Sequence, residues 1–313
     1  MGKIAFLFPG QGAQVVGMGR DIYENCDAAK KLLDAANREL DFDLLELMLE
    51  GPIEKLSLTE YTQPALVACE LMILEALREA KIVPDVVAGL SLGEYSALVA
   101  AGAISSLDAI KLVRERGIIM SEALPAGTTT MAAVLGLESD VLSTLCSNAS
   151  SHGVVEIANY NCPGQIVIGG HNEAVAVVGE KALKIGAKRV INLPVSGAFH
   201  TSLLFEAGKK LREKLTEIPM QEMSIPVVFN KTGHYQDAEL IDLMEAQISS
   251  AVKFQNSIEF MIKEGVDTFI EVGPGRSLSG FVKKVDRKLA VYQVEDLAGI
   301  QGLVDILGGK NDE

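Results

Sequence analysis

The chain has 313 residues, 48% of them hydrophobic and only 5% aromatic, with no Trp and a formal net charge of −14. That length holds one large α/β domain, or a large domain carrying an insert, with small aliphatics filling the core. The acidic balance argues against general binding to nucleic acid or to an anionic membrane surface, and no run of about 18 apolar residues is present to cross a bilayer.

The four cysteines, Cys26, Cys69, Cys146 and Cys162, show no C-x-x-C pairing. They read as free thiols of a reducing compartment, with no disulfide or zinc role. The apolar run at Ile4–Pro9 is too short for a signal peptide. A soluble cytoplasmic protein is the expectation.

Residues 3–8 form a buried strand, followed by the glycine loop Pro9-Gly10-Gln11-Gly12-Ala13-Gln14 and a helix near 21–38. A dinucleotide fingerprint needs Gly or Ala three residues after the second glycine, where this chain has Val15. No acidic residue ends a second strand some 20 residues on, so the loop instead suits a second oxyanion-hole arm beside another loop. A short helix follows at 42–49. Thr62-Gln63-Pro64 marks a helix start, with Thr62 near the cap and Pro64 in the first turn. That helix runs to about Ala80 and is apolar nearly all round, hence buried.

Next comes Gly89-Leu90-Ser91-Leu92-Gly93-Glu94, of the form G-x-S-x-G, between a short apolar strand (85–88) and a helix (95–101). Strand, tight turn, helix is the context of a nucleophile elbow. Ser91 stands at the tip, and the Leu92 N–H points at any oxyanion formed there. In the helix 106–123, Arg116 falls on the apolar stripe of Ile110, Val113, Gly117 and Met120, while Arg114 falls on the opposite face. A guanidinium on a buried face is costly unless it meets an anion or lines a polar cleft. Two readings stand: a clamp for a substrate carboxylate, or a structural ion pair.

After Leu124-Pro125-Ala126-Gly127 the rhythm changes to strand 130–135, helix 138–150, strand 154–159, strand 165–170, helix 172–185 and strand 189–193. This β-α-β-β-α-β order is ferredoxin-like and compact enough to be an inserted domain. The turn between its middle strands, Asn159 to Gln165, either lines a cleft or is a plain hairpin loop. The exit, Pro194-Val195-Ser196-Gly197-Ala198-Phe199-His200, leads to a helix at 201–217. His152, His171 and His234 lie in polar turns. His200 is the histidine that a boundary loop delivers to Ser91 as a base.

Strand 226–229, helices 239–248 and 256–264, strand 268–272, helix 276–285, strand 290–294 and helix 297–307 resume the α/β alternation. The expected architecture is therefore a large α/β-hydrolase-like domain with a parallel sheet (1–125 and 198–313) plus a small ferredoxin-like βαββαβ insert (126–197). Glu271-Val272-Gly273-Pro274-Gly275 sits at the carboxyl end of a strand, where open α/β sheets place their sites. Lys283, Lys284, Arg287 and Lys288 are a solvated helix face or a docking site.

Together these pieces resemble the malonyl-CoA:acyl carrier protein transacylases of bacterial type II fatty acid synthesis. The residues that carry the likeness are Phe8–Gly12, Tyr61–Ala65, Gly89–Glu94, Arg116-Gly117 with Met120, Asn161–Gln165, Gly197–His200 and Glu271–Gly275. The resemblance implies Ser91 as nucleophile and His200 as its base. It implies an oxyanion hole from Gln11 and Leu92, and substrate contacts from Arg116, Met120, Asn161 and Phe199. Gln247 matches the glutamine whose backbone carbonyl orients the histidine. Leu90 departs from the His that many members carry before the serine, so any secondary polar role there is lost. Phe199 looks like the malonyl-selective form. The implied reaction is ping-pong malonyl transfer from malonyl-CoA to acyl carrier protein, with no metal or redox cofactor, by a monomer. Two rivals are a serine thioesterase or esterase, which expects an acid between Ser and His in chain order, and a non-catalytic nucleotide-binding protein using the Pro9–Gly12 loop.

Overall fold

The computed structural model describes residues 2–195 and 197–308; Ser196, in the loop before His200, lies outside them. The strands are β1 (Lys3–Phe8), β2 (Val86–Gly89), β3 (Thr129–Leu135), β4 (Val155–Cys162), β5 (Gln165–His171), β6 (Arg189–Asn192), β7 (Val227–Val228), β8 (Val266–Val272) and β9 (Ala290–Val294). They form two sheets. The first has the order β7-β2-β1-β8-β9 and is parallel throughout. Its central strand β1 is buried from Ala5 to Phe8, as a parallel sheet covered on both faces requires.

The second sheet is antiparallel, order β4-β5-β3-β6. The helices Ser139–Ser147 and Asn172–Lys184 complete its β-α-β-β-α-β unit over a core that includes Val134, Leu142, Ile168 and Val178. Both expected sheets are therefore present, one parallel and α/β, one small and ferredoxin-like in strand order.

The chain divides into two compact units: Met1–Gly117, Ile218–Val228 and Met261–Glu313 in one, Ile118–Glu217 and Phe229–Phe260 in the other. The second unit takes in more than the 126–197 segment. The reason is visible in its hydrogen bonds, because Val252 bridges β4 (Tyr160 N–H to Val252 O, 2.8 Å; Val252 N–H to Ala158 O, 2.8 Å).

Several local expectations shift. The helix expected at 21–38 is two, Arg20–Asn25 and Asp27–Glu39, because the Cys26 sulfur caps the second one at the Ala29 amide. The helix expected to begin at Thr62 begins at Thr59 and runs to Glu79, with Pro64 inside it. Pro64 has no N–H to give to the carbonyl of Glu60. Arg114 takes that place, donating from Nη1 to Glu60 O at 2.8 Å. Asn159, Tyr160 and Asn161 lie in β4, not in the turn, which shrinks to Pro163-Gly164. Bulges along β4 let the strand continue past the asparagines. His200 is followed first by a 3-10 turn, Ser202–Leu204, and then by the helix Phe205–Thr216. His171 ends β5 half-buried, and its Nδ1 accepts the Val154 N–H at 2.9 Å, so it lies in a strand and not in a polar turn. All four cysteines are free and buried.

Glu70, in the helix Thr59–Glu79, is fully buried and accepts from Ser96 Oγ at 2.5 Å. Burial pushes its carboxyl well above the usual carboxylate range, the Ser96 bond opposes this, and the charge of Glu271 adds to it. A carboxyl whose pKa is raised by folding holds its proton more tightly in the native state. Its stabilising effect is complete below about pH 4.5 and is lost as pH rises towards the folded value. Glu70→Gln removes that loss. The variant should gain on the wild type in urea unfolding between pH 5 and pH 8, by at most about 1.4 kcal/mol per pH unit. A difference that is flat in pH would mean that Glu70 ionises freely in the fold.

Candidate active site

The first unit holds Ser91. Ser91 has φ 52°, one of three non-glycine residues with positive φ among the described residues. An L-residue holds that conformation only where the surroundings over-determine it. Here they do. A Cβ on Gly89 would run into the backbone of Gly93, and a Cβ on Gly93 into the carbonyl of Phe8. The Leu90 amide donates to Phe8 O at 2.9 Å, and the Ser91 and Leu92 carbonyls accept from Glu94 and Tyr95 as the helix Gly93–Ala100 begins. Ser91 is thereby lifted to the end of β2 at a helix N-terminus.

The Pro9–Gly12 loop lies against this turn, with the Cβ position of Gly10 only 2.6 Å from Leu90 O. Gln11 is anchored by its side chain, Nε2 to Thr59 Oγ1 at 3.1 Å. Among the described residues the backbone N–H groups of Gln11 and Leu92 donate no hydrogen bond. Two such donors, on loops that meet where Gly10 approaches Leu90, are of the kind an oxyanion hole uses.

Arg116 is 1% exposed. Its Nη2 donates to Ser91 Oγ at 3.3 Å and its Nη1 to Gln63 Oε1 at 2.9 Å, and the guanidinium lies 5.3 Å over the Tyr95 ring. Burial lowers its pKa, while Tyr95 and Glu94 favour the charged form. The helix Ser106–Glu122 reaches this depth because Gly117 presses on the backbone of Thr59 and Glu60, leaving no space for a Cβ. Arg114, two residues earlier, pairs with Asp41 (3.0 Å) and stacks on Phe42 and Tyr61. Gln63 and Tyr95 against Arg116, and Thr59 against Gln11, are neighbours of the candidate residues that sequence reasoning missed. Gln63 entered there as part of a helix start and of the Tyr61–Ala65 motif, with no role of its own.

The second unit holds the histidine. His200, 4% exposed, has φ 61°. Its N–H donates to Ile248 O at 3.1 Å, and its Nδ1 lies 2.9 Å from Gln247 O, at the end of the helix Leu240–Gln247. A carbonyl only accepts, so Nδ1 carries a proton, and in the neutral ring the lone pair that a general base needs is then on Nε2. A backbone carbonyl, where a hydrolase triad has a carboxylate, orients this ring. Asn161 in β4, Phe199 and Met120 are buried in the same unit. Met120 follows Arg116 by one turn of one helix. Among the described residues no cluster of His, Cys, Asp and Glu is suited to hold a metal ion.

A family model described as an acyl transferase domain matches residues 5–301. A malonyl CoA-acyl carrier protein transacylase of Bacillus subtilis (strain 168) is 46% identical over 100% of this chain and 99% of its own length. The crystal structure of a malonyl CoA-acyl carrier protein transacylase from Clostridium perfringens superposes with a TM-score of 0.95 at 41% identity, covering 99% of this chain and 98% of that one. A malonyl-transacylase solved in complex with a type II PKS acyl-carrier protein gives 0.94 at 35% identity, over 97% and 99% of the two chains. With a strained serine at a nucleophile elbow and matches this complete, the chain belongs to the malonyl CoA-acyl carrier protein transacylase family of acyl transferases.

Proposed function

We propose that this chain is a malonyl-CoA:acyl carrier protein S-malonyltransferase that supplies fatty acid synthesis through a malonyl-serine intermediate. The observation that carries this reading is the buried guanidinium of Arg116 at 3.3 Å from Ser91 Oγ. A nucleophile beside a buried cation selects an acyl group that bears its own carboxylate.

In the proposed cycle His200 Nε2 takes the Ser91 proton as Oγ attacks the thioester carbon of malonyl-CoA. The oxyanion is held by the Leu92 and Gln11 amides, at about 3 kcal/mol per donor. The intermediate collapses, the C–S bond breaks, and coenzyme A leaves with the proton from His200. The phosphopantetheine thiol of the carrier then gives its proton to His200 and attacks the malonyl ester, which restores Ser91. Acyl exchange of this kind changes no oxidation state and calls for no metal or redox cofactor. Met120, Asn161 and Phe199 would line the acyl and pantetheine path, and Gln247 would hold the base. No helix among the described residues is long and apolar enough to cross a membrane. We read the protein as a cytoplasmic monomer.

An acidic carrier meets a chain of net charge −14, so docking needs a local basic surface. Lys188 with Arg189 is exposed at the edge strand β6, and Lys283, Lys284, Arg287 and Lys288 are exposed beyond β8. Lys283 is partly committed to its own fold, donating to Leu289 O at 2.6 Å.

Intact mass after mixing with malonyl-CoA should show one malonyl group on the wild type and none on Ser91→Ala; labelling that survives the substitution excludes the serine route. Arg116→Ala should lower kcat/KM for malonyl transfer about a hundredfold or more while acetyl transfer persists. Equal loss of both would remove the clamp role. Charge reversal at Lys188 and Arg189 should slow transfer to the carrier and spare acyl-serine formation. If both half-reactions fall together, that surface is structural.

A further inference from the structure

The loop that carries His200 is fastened by a carboxylate from the neighbouring sheet. Glu156, half-buried in β4, accepts from the Ser202 backbone N–H through Oε2 at 2.7 Å and from Ser202 Oγ through Oε1 at 2.6 Å. Ser202 lies two residues after His200 and opens the 3-10 turn Ser202–Leu204. Both carboxylate oxygens are thus committed to one residue, and the negative charge sits at the start of the turn, where amide N–H groups point outward.

His200 needs such fastening. Its left-handed φ of 61° is intrinsically disfavoured for an L-residue, so the loop around it must supply the compensation. On one side the carbonyls of Gln247 and Ile248 take its ring Nδ1–H and its amide. Within the loop Thr201 Oγ1 donates to Ala198 O at 2.7 Å. Glu156 supplies the tie on the other side of the histidine, from the sheet.

The same strand locates both sides. The segment after Gln247 and Ile248 is pinned to β4 by the two backbone hydrogen bonds of Val252, four residues on from Ile248. The segment after His200 is pinned to β4 by Glu156. The imidazole is therefore held between two attachments that share one strand as their reference. Loss of either lets the ring move relative to the other.

We propose that Glu156 is a positioning residue of the acyl transfer: its two-point grip on Ser202 holds the strained His200 backbone so that Nε2 keeps the orientation of a base. This rests on the reading of His200 as the base of Ser91. It concerns the rate of the proton transfer and leaves recognition of the malonyl carboxylate alone.

The test is the acylation half-reaction, followed by rapid quench and intact mass on the full chain, with thermal unfolding of every variant as a folding control. Glu156→Ala should acylate Ser91 about tenfold more slowly at saturating malonyl-CoA, with KM for malonyl-CoA within about twofold of the wild type. Glu156→Gln should restore the rate to within about threefold, since its amide oxygen accepts the Ser202 N–H and its NH2 donates to Ser202 Oγ. Ser202→Ala, which keeps the backbone half of the grip, should fall between. The double variant should be no slower than Glu156→Ala alone. A wild-type rate in Glu156→Ala, a Gln variant as slow as the Ala variant, or additive losses in the double variant would each overturn the proposal. His200→Ala separates the two layers. If it acylates at the wild-type rate, the base reading itself fails; if it is inactive while Glu156→Ala is normal, only the positioning role fails.

Discussion

One backbone contact sets the chemistry of the first unit: the α-carbon of Gly93 rests against the carbonyl of Phe8 at the end of the central strand β1. No side chain fits between them. The helix that begins at Gly93 is thereby drawn onto the sheet, the chain must reverse within a few residues, and Ser91 is forced into a left-handed backbone. The strain is retained because the sheet, the Pro9–Gly12 loop and the new helix all over-determine the turn. The Leu92 amide owes its position to the same contact. Deep packing and the strained turn at Ser91 are consequences of one another here.

The histidine is organised by a different device. Its ring is oriented by the carbonyl at the end of a helix, a group that carries a partial negative charge but cannot be protonated at ordinary pH. That fixes the tautomer as a carboxylate does, while adding no full negative charge to a protein whose proposed substrate is itself an anion. Arg116 shows the complementary choice. A cation is kept in a buried setting of Gln63, Ser91 and the Tyr95 ring, where the carboxylate of the proposed substrate would gain more from it than it does in water.

What the sequence made legible was whatever obeys a local rule. G-x-S-x-G between a strand and a helix is a steric statement, and the elbow is where it points. A change of hydrophobic period at Leu124–Gly127 separated the two sheets. The helical period put Arg116 on a buried face, but periodicity does not say what that face meets, and the meeting with Ser91 comes from a residue 25 positions away. The misses have the same root. Asn159-Tyr160-Asn161-Cys162-Pro163-Gly164 has strong turn chemistry, yet bulges carried β4 through it to Cys162. Cys26 broke a helix through a sulfur cap that composition does not advertise. Gln63, Thr59 and Glu156 act across 46 to 53 residues of chain, and no pattern within a window of helix or strand length reports such pairs.

Pro64 lies inside its helix and not at the start that its ring would favour. A proline inside a helix leaves one acceptor idle four residues earlier, and in this protein Arg114 claims that acceptor. The defect in the ladder thus doubles as a mooring for the helix that carries Arg116. Regularity along one segment and attachment to its neighbour draw on the same oxygen. A redesign that perfects the segment in isolation would intrude on the joint by which the two helices keep their alignment.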